Sequence, residues 1–191
     1  TQRVSELRTT LERRMDFAEI PIKPPRVFQE VNAYFDRDTM FVTAIGLYQI
    51  WSGQFQHSYQ PRHYMVCGQA GPLGWEISAC TGVKLGRPDK QVVAVVGDYS
   101  FQFLIEEVAV AVQYRIPFVI VMINNGYMGL IRQAELPYEM NYAVDLSYTD
   151  GNDDGLLAEM EPGIDHVKAM EAMGGLGRRV ERPEDIRPAL E

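Results

Sequence analysis

Long apolar runs alternate with segments of helical periodicity along the chain, and this pattern predicts an α/β fold. The run VVAVV (Val92 to Val96) stops at Gly97, and the run PFVIVMI (Pro117 to Ile123) stops at Asn124. Between them, the spacing of apolar residues predicts one helix from Phe103 to Tyr114. Strands this apolar are typical of parallel sheets that are covered on both faces. We therefore expect a doubly wound parallel sheet with helices on both faces.

The pattern also predicts how the chain is divided. Apolar residues at three- and four-residue spacing predict a helix over Thr1 to Glu19, and the three prolines of IPIKPP (Ile20 to Pro25) break it. We interpret residues 1–25 as the tail of a preceding domain plus a linker, and residues 26–191 as one incomplete, C-terminally truncated domain. Further strands are predicted at Met40–Ile45, Tyr64–Cys67 and Gly177–Val180, and a helix at Ile164–Met173.

Polar side chains follow both strands of the central unit. Asp98 comes directly after the first strand, and Asn124 and Asn125 come after the second. The carboxyl ends of parallel strands meet at one edge of the sheet, which is where open α/β sheets bind ligands. Carboxylate and amide oxygens suit Mg²⁺ and are poor ligands for zinc or copper. The alternative is structural: an Asp that caps a helix and an Asn-Gly turn.

Composition narrows the classes of function. The chain has 191 residues, 46% of them hydrophobic, and a net charge of −8, which argues against nucleic acid and anionic membranes as partners. Its two cysteines form no disulfide framework and favour a cytoplasmic location, and its three histidines lack zinc-ligand spacing. The acidic segment Asp150 to Asp154 lacks the spacing of a calcium-binding EF-hand, so we expect a solvated loop there.

The motif at the sheet edge resembles that of a known family. Gly97-Asp98-Tyr99-Ser100, followed after 23 residues by Asn124-Asn125, resembles the GDG…NN motif of thiamine-diphosphate enzymes. The resemblance implies that Asp98, Asn125 and the Tyr127 carbonyl bind Mg²⁺, which bridges the cofactor's diphosphate to the protein. Tyr99 stands where the family usually has glycine, which leaves the backbone turn less certain.

Two other segments imply further cofactor contacts. The segment GLYQIW (Gly46 to Trp51) resembles a diphosphate-contacting segment of acetohydroxyacid synthases, and a glycine turn at a helix entry lets N–H groups approach phosphate. Leu73 would be the wedge that bends the cofactor, and the Gly71 carbonyl would accept a hydrogen bond from the cofactor's amino group. The full set of implied cofactor-binding residues is Gly46, Leu47, Tyr48, Gly71, Leu73, Gly97, Asp98, Tyr99, Ser100, Asn125, Tyr127, Met128 and Gly129.

Longer segments, among them GQAGPLGW (Gly68 to Trp75), resemble the glyoxylate carboligase family. This implies the joining of two glyoxylate molecules to tartronate semialdehyde, with release of CO₂. It also implies a homodimer or homotetramer, in which the pyrimidine-binding domain of a second subunit completes the active site. FAD would bind a middle domain that is mostly outside this chain. The chain by itself is expected to be inactive and to bind the cofactor weakly.

Two alternatives stay open. One is acetolactate synthase, or another 2-oxo acid decarboxylase or carboligase that uses the same cofactor. The pocket size that separates them depends partly on Met128 and Leu130. The other is a noncatalytic phosphate-binding α/β module, whose binding of thiamine diphosphate would depend neither on Mg²⁺ nor on Asp98.

Overall fold

A parallel four-stranded sheet forms the centre of the fold. The computed structural model describes residues 13–140 and 164–191, together with Arg3, Glu6, Leu7, Thr10 and Leu11. Within these residues the strand order is β2-β1-β3-β4, and every pairing is parallel. The strands are β1 (Met40–Thr43), β2 (Tyr64–Val66), β3 (Val92–Gly97) and β4 (Val119–Ile123).

Helices lie on both faces of this sheet, as the continuous apolar runs predict. Eight α-helices are described: α1 (Pro24–Tyr34), α2 (Leu47–Phe55), α3 (Trp75–Gly86), α4 (Asp98–Phe103), α5 (Glu106–Gln113), α6 (Gly129–Glu135), α7 (His166–Ala172) and α8 (Ile186–Leu190). Short 3₁₀ turns occupy Leu136–Tyr138 and Pro183–Asp185.

Alternate residues of the central strands enter different cores. Val92, Ala94 and Val96 of β3 pack with Ile77 and Cys80 of α3 on one face. On the other face, Val93 packs with Val31 and Phe35 of α1, and Val95 packs with Tyr48 of α2. All six residues of β3 are buried. Because both faces are covered, the carboxyl ends of the strands are left as the edge open to a ligand.

The structure corrects three predicted elements. Of the helix predicted over Thr1 to Glu19, the described residues Arg3, Glu6, Leu7 and Thr10 are helical, but residues 13–19 are not. Met15 instead packs beside Phe28, Tyr48 and Val95, so this contact outweighs local helix periodicity. Most of the predicted helix from Phe103 to Tyr114 is α5 (Glu106–Gln113), but it is interrupted at Leu104 and Ile105, and Phe103 is the last residue of a separate helix, α4, that was not predicted. Residues 177–180 form no strand, because Gly177 lies against Val167 of α7 and pairs with no strand among the described residues.

Candidate functional site

A cavity of about 280 Å³ opens at the carboxyl edge of the sheet. Strands β1, β3 and β4 end at it, and the turns and helices after those strands form its walls. Twelve of the thirteen residues predicted to bind the cofactor line this cavity: Gly46, Leu47, Tyr48, Gly71, Leu73, Gly97, Asp98, Tyr99, Ser100, Asn125, Tyr127 and Met128. Gly129, the remaining predicted residue, also lines the cavity, so all thirteen predicted residues do. The structure thus brings the whole predicted set together.

Asp98 is the most highly bonded polar side chain of the cavity. It is 2% exposed, and its Oδ2 accepts hydrogen bonds from the backbone N–H groups of Gly126 (2.7 Å) and Asn125 (3.1 Å). Its Oδ1 accepts one from the N–H of Tyr99 at 2.8 Å. Burial raises the pKa of Asp98, and these three N–H groups oppose that shift. Since a carboxylate has about four lone-pair sites, Oδ1 keeps one for a cation.

The turn after β4 brings Asn125 and Tyr127 to the cavity that Asp98 lines. Asp98 itself fixes this turn through its bonds to the Asn125 and Gly126 N–H groups. A Cβ atom at Gly129 would lie 2.5 Å from Nδ2 of Asn125, so only glycine leaves that side chain its place. The Tyr127 carbonyl accepts a hydrogen bond from the Gly129 N–H at 2.8 Å, and its second lone pair is available. These oxygens form a hard donor set.

Tyr99 fits the turn although the family motif has glycine at this position. The residue lies in the first turn of α4 and is not among the described residues with positive φ. A side chain is therefore tolerated there without backbone strain.

The amino end of α2 points its first turn at the cavity. Gly46 precedes the helix with a φ of +149°, and Leu47 and Tyr48 are its first residues. A Cβ at Gly46 would lie 2.5 Å from the Tyr48 ring, so glycine is needed both for the backbone angle and for the space. The first N–H groups of a helix have no partner within it, which makes this end suitable for phosphate.

The loop before α3 carries Gly71 and Leu73 into the same cavity. Gly71 has a φ of +55° and Gly74 a φ of +84°, so two left-handed residues shape the loop around Leu73. The Gly74 N–H donates a hydrogen bond to Oγ of Ser100 at 2.8 Å. Ser100 is 1% exposed, so this bond joins the Leu73 loop to α4 in the interior.

Sequence reasoning missed some residues of the cavity wall. Trp51 lines the cavity from α2, and Ile45 and Ile123 line it from the ends of β1 and β4. Trp51 is four residues after Leu47, so helical spacing alone could have placed it on the same helix face. No comparable signal identifies Ile45 and Ile123, because an apolar residue at the end of a strand looks the same in the sequence whether it faces the core or the cavity.

Sequence reasoning also assigned no role to Glu76. Its carboxyl group is 0% exposed, and its Oε1 accepts a hydrogen bond from the Tyr48 hydroxyl at 3.0 Å. Burial raises the pKa of Glu76 and also that of Tyr48.

These residues fit a diphosphate held through a divalent cation. The oxygen donors are those that Mg²⁺ prefers. Four glycines line the cavity and let a ligand come close to the backbone: Gly46, Gly71, Gly97 and Gly129. The described residues hold no group of three His, Cys, Asp or Glu side chains that could bind a metal by themselves. A cation here would need oxygens from a ligand as well, as Mg²⁺ sites with phosphate usually do.

Sequence comparison identifies the class. The family described as "Thiamine pyrophosphate enzyme, C-terminal TPP binding domain" matches residues 44–191, and the chain belongs to this family of thiamine-diphosphate-dependent enzymes.

Individual relatives narrow the comparison. The chain is 47% identical over 182 residues to a glyoxylate carboligase of Escherichia coli O157:H7, covering 95% of the chain and 30% of that protein. It is 36% identical over 164 residues to an acetolactate synthase of Mycobacterium avium, covering 85% of the chain and 25% of that protein. The chain therefore spans less than a third of the length of these relatives.

A solved structure supports the fold. Benzoylformate decarboxylase from Polynucleobacter necessarius superposes with a TM-score of 0.77 over 93% of this chain and 32% of that one, at 21% identity. At this identity the likeness concerns the fold alone, and it agrees with the predicted parallel sheet with helices on both faces. Among the described residues, no helix has the length and apolar character needed to cross a membrane.

Proposed function

We propose that this chain supplies the diphosphate- and Mg²⁺-binding half of a glyoxylate carboligase active site. The reaction would condense two glyoxylate molecules to tartronate semialdehyde and release CO₂. The observation that carries the proposal is the convergence of Asp98, Asn125 and the Tyr127 carbonyl on one cavity of a thiamine-diphosphate-binding domain. The similarity to a glyoxylate carboligase, 47% over 95% of the chain, favours glyoxylate over other 2-oxo acids.

In this proposal, Asp98, Asn125 and the Tyr127 carbonyl hold Mg²⁺, and the first turn of α2 binds the diphosphate. Asp98 suits this role because its position is fixed by three backbone N–H groups before any cation arrives. Thiamine diphosphate, when bound, supplies the electron sink that decarboxylation of a 2-oxo acid requires. The tasks of this chain are then to bind, to orient and to exclude water.

Leu73 would support the bend of the cofactor, and the Gly71 carbonyl would accept a hydrogen bond from the cofactor's amino group. Both line the cavity, in a loop shaped by two left-handed glycines, Gly71 and Gly74. Apolar neighbours such as Ile45 and Ile131 help to keep water from the reacting carbon.

A second subunit would complete the site. Ligand clefts usually measure roughly 300–1,000 Å³, and the present cavity of about 280 Å³ is slightly smaller than that. We propose that a pyrimidine-binding domain of the partner forms the opposite wall in a homodimer or homotetramer. FAD in the longer protein, the domain boundary near residue 25 and a cytoplasmic location stay predictions.

The substrate is tested by CO₂ release from a protein of the relatives' full length that contains this chain. Glyoxylate and pyruvate are offered separately with saturating thiamine diphosphate and Mg²⁺. Release from glyoxylate with little from pyruvate supports the proposal. A preference for pyruvate would move the assignment to acetolactate synthase, which the 36% identical relative makes the alternative. Release from neither would favour the noncatalytic phosphate-binding module.

A further inference from the structure

Glu76 is a buried carboxyl group under the cavity, and the proposed reaction gives it no task. It lies in the first turn of α3 and is 0% exposed. Carboxyl side chains are almost never fully buried unless they are paired. Its Oε2 has no hydrogen-bond partner among the described residues. A group this costly to bury calls for a compensating contact.

That contact is the hydroxyl of Tyr48, which donates to Oε1 of Glu76 at 3.0 Å. The Tyr48 ring is 5% exposed and lies between two glycines of the cavity. A Cβ at Gly46 would approach this ring to 2.5 Å, and one at Gly97 to 2.8 Å. The two glycines therefore leave room for one edge of the ring, at Cδ1 and Cε1, while Glu76 holds its hydroxyl. The ring forms the floor between the amino end of α2 and the end of β3.

The same cluster reaches the Leu73 loop. Glu76 is three residues beyond Leu73, and Gly74 between them donates its N–H to Ser100. The Ser100 hydroxyl lies near enough to Glu76 and Tyr48 to lower the pKa of each, against the effect of burial. Glu76, in the first turn of α3, thus lies beside the first turns of α2 and α4, and both of these helices contribute residues to the cavity wall.

We propose that Glu76 is a positioning residue for the cofactor site: as a neutral carboxylic acid bonded to Tyr48, it fixes the cavity floor and the Leu73 loop in the geometry that binds thiamine diphosphate. This deepens the proposed function and rests on it. Loss of the proton would leave a buried charge with one oxygen unpartnered, and the cluster would have to open to hydrate it.

Among the groups that shift the pKa of Glu76, Tyr48 and Cys80 there is no cation that would stabilise the charged form of Glu76. The groups that face the cluster are Tyr48 of α2, Ser100 of α4, Cys80 on its own helix and Cys67 before the loop. None of these is a cation. Burial raises the pKa of Glu76, while the Ser100 and Tyr48 hydroxyls oppose that shift.

The test measures binding of thiamine diphosphate with saturating Mg²⁺ from pH 5 to pH 9, by isothermal titration into a protein of the relatives' full length that contains this chain. In the wild type, affinity should fall by up to about tenfold per pH unit above the raised pKa of Glu76. Glu76→Gln keeps an acceptor for Tyr48 but cannot ionise, so it should not show this loss. Subtracting its profile removes the cofactor's own ionisations.

Two further variants separate the bond from the charge. Glu76→Leu and Tyr48→Phe each remove the hydrogen bond, and each should weaken binding at every pH by about 5- to 20-fold. The double variant should be no weaker than either alone, because both remove one interaction. Glu171→Gln, an exposed carboxylate on α7, is the matched control and should leave the wild-type profile unchanged.

The outcomes distinguish this inference from the proposed function. If the wild type and Glu76→Gln bind the cofactor with the same pH profile, or if the effects of Glu76→Leu and Tyr48→Phe add, the inference is overturned while cofactor binding stands. If no variant and no wild type binds thiamine diphosphate, the proposed function itself fails.

Urea unfolding without cofactor gives an independent readout: Glu76→Gln should abolish part of the loss of stability that the wild type shows as pH rises.

Discussion

At the scale of single residues, the site is built from a few groups whose positions are fixed before any ligand binds. Asp98 is held by three backbone N–H groups, and Gly129 leaves the Asn125 side chain its space. The adjacent asparagines have different surroundings: Oδ1 of Asn124 accepts the Gly126 N–H at 3.0 Å within the turn, and Asn125 lines the cavity.

This difference predicts unequal effects of substitution. Asn125→Ala should weaken Mg²⁺-dependent binding of thiamine diphosphate by more than about tenfold. Losing a group that only orients a metal ligand already lowers metal affinity by about 10- to 100-fold, and losing a ligand should cost at least as much. Asn124→Ala removes a partly exposed hydrogen bond worth roughly 1 kcal/mol and is the matched control. Isothermal titration with and without Mg²⁺ measures both. Equal effects of the two substitutions would remove Asn125 from the proposed ligand set.

The sequence predicted Asp98, Asn125 and Tyr127 together because they belong to a motif with fixed spacing. It could not predict Glu76, because a glutamate in the first turn of a helix is ordinarily a solvated residue that favours the helix dipole. Only the packing of α2 and α4 over α3 shows that this carboxyl group is buried. The pairing of Tyr48 with Glu76 joins residues 28 positions apart, and periodicity carries no such signal.

At the scale of elements, strands were predicted better than helix ends. The apolar runs of β3 and β4 define the strands to within two residues of the observed bounds, since buried parallel strands are apolar at every position. The division between α4 and α5 has no such signal. It occurs where Leu104 packs over Gly74, whose missing Cβ would lie 2.8 Å from Cγ of Leu104. The interruption between α4 and α5 therefore depends on a contact between residues that are 30 positions apart, Gly74 and Leu104.

The contact predicts opposite effects for two glycines of the α3 region. Gly74→Ala introduces a side chain at a φ of +84° and against the Leu104 backbone, so it should lower the free energy of unfolding by roughly 1–3 kcal/mol. Gly82 is an exposed residue in the middle of α3, and a Cβ there would have no atom within 4 Å. Gly82→Ala should therefore raise the free energy of unfolding by about 0.5–1 kcal/mol. Urea denaturation followed by circular dichroism measures both. A neutral Gly74→Ala would show that the α4–α5 break does not depend on this contact.

At the scale of the whole molecule, the segment after residue 164 is joined to the site through His166. The residue is 8% exposed, its ring meets Phe101 edge-on at 5.9 Å, and its Nε2 lies 3.0 Å from Nε2 of Gln102. Burial lowers the pKa of His166, while the Asp98 carboxylate opposes that shift. The acidic segment at residues 150–154, for which a solvated loop was predicted, lies outside the described residues.

The lowered pKa of His166 predicts a direction of pH dependence. The neutral form is favoured in the folded state, so stability is full above the ordinary pKa near 6.5 and falls as pH drops through the lowered one. His166→Phe keeps an aromatic ring beside Phe101 and should reduce this acid-side loss. His57→Phe, at an exposed position, is the control. Equal acid-side slopes in wild type and His166→Phe, measured by urea unfolding from pH 5 to 8, would contradict the prediction.

The central claim is that Asp98 binds the metal that holds thiamine diphosphate at this edge of the sheet. The most direct test is a calorimetric titration of thiamine diphosphate into a protein of the relatives' full length that contains this chain, with Mg²⁺ and with excess EDTA, for the wild type and Asp98→Asn. The account predicts binding to the wild type that requires Mg²⁺ and that falls by more than about 100-fold in Asp98→Asn. Binding that is the same with and without Mg²⁺, or unchanged in Asp98→Asn, would contradict it.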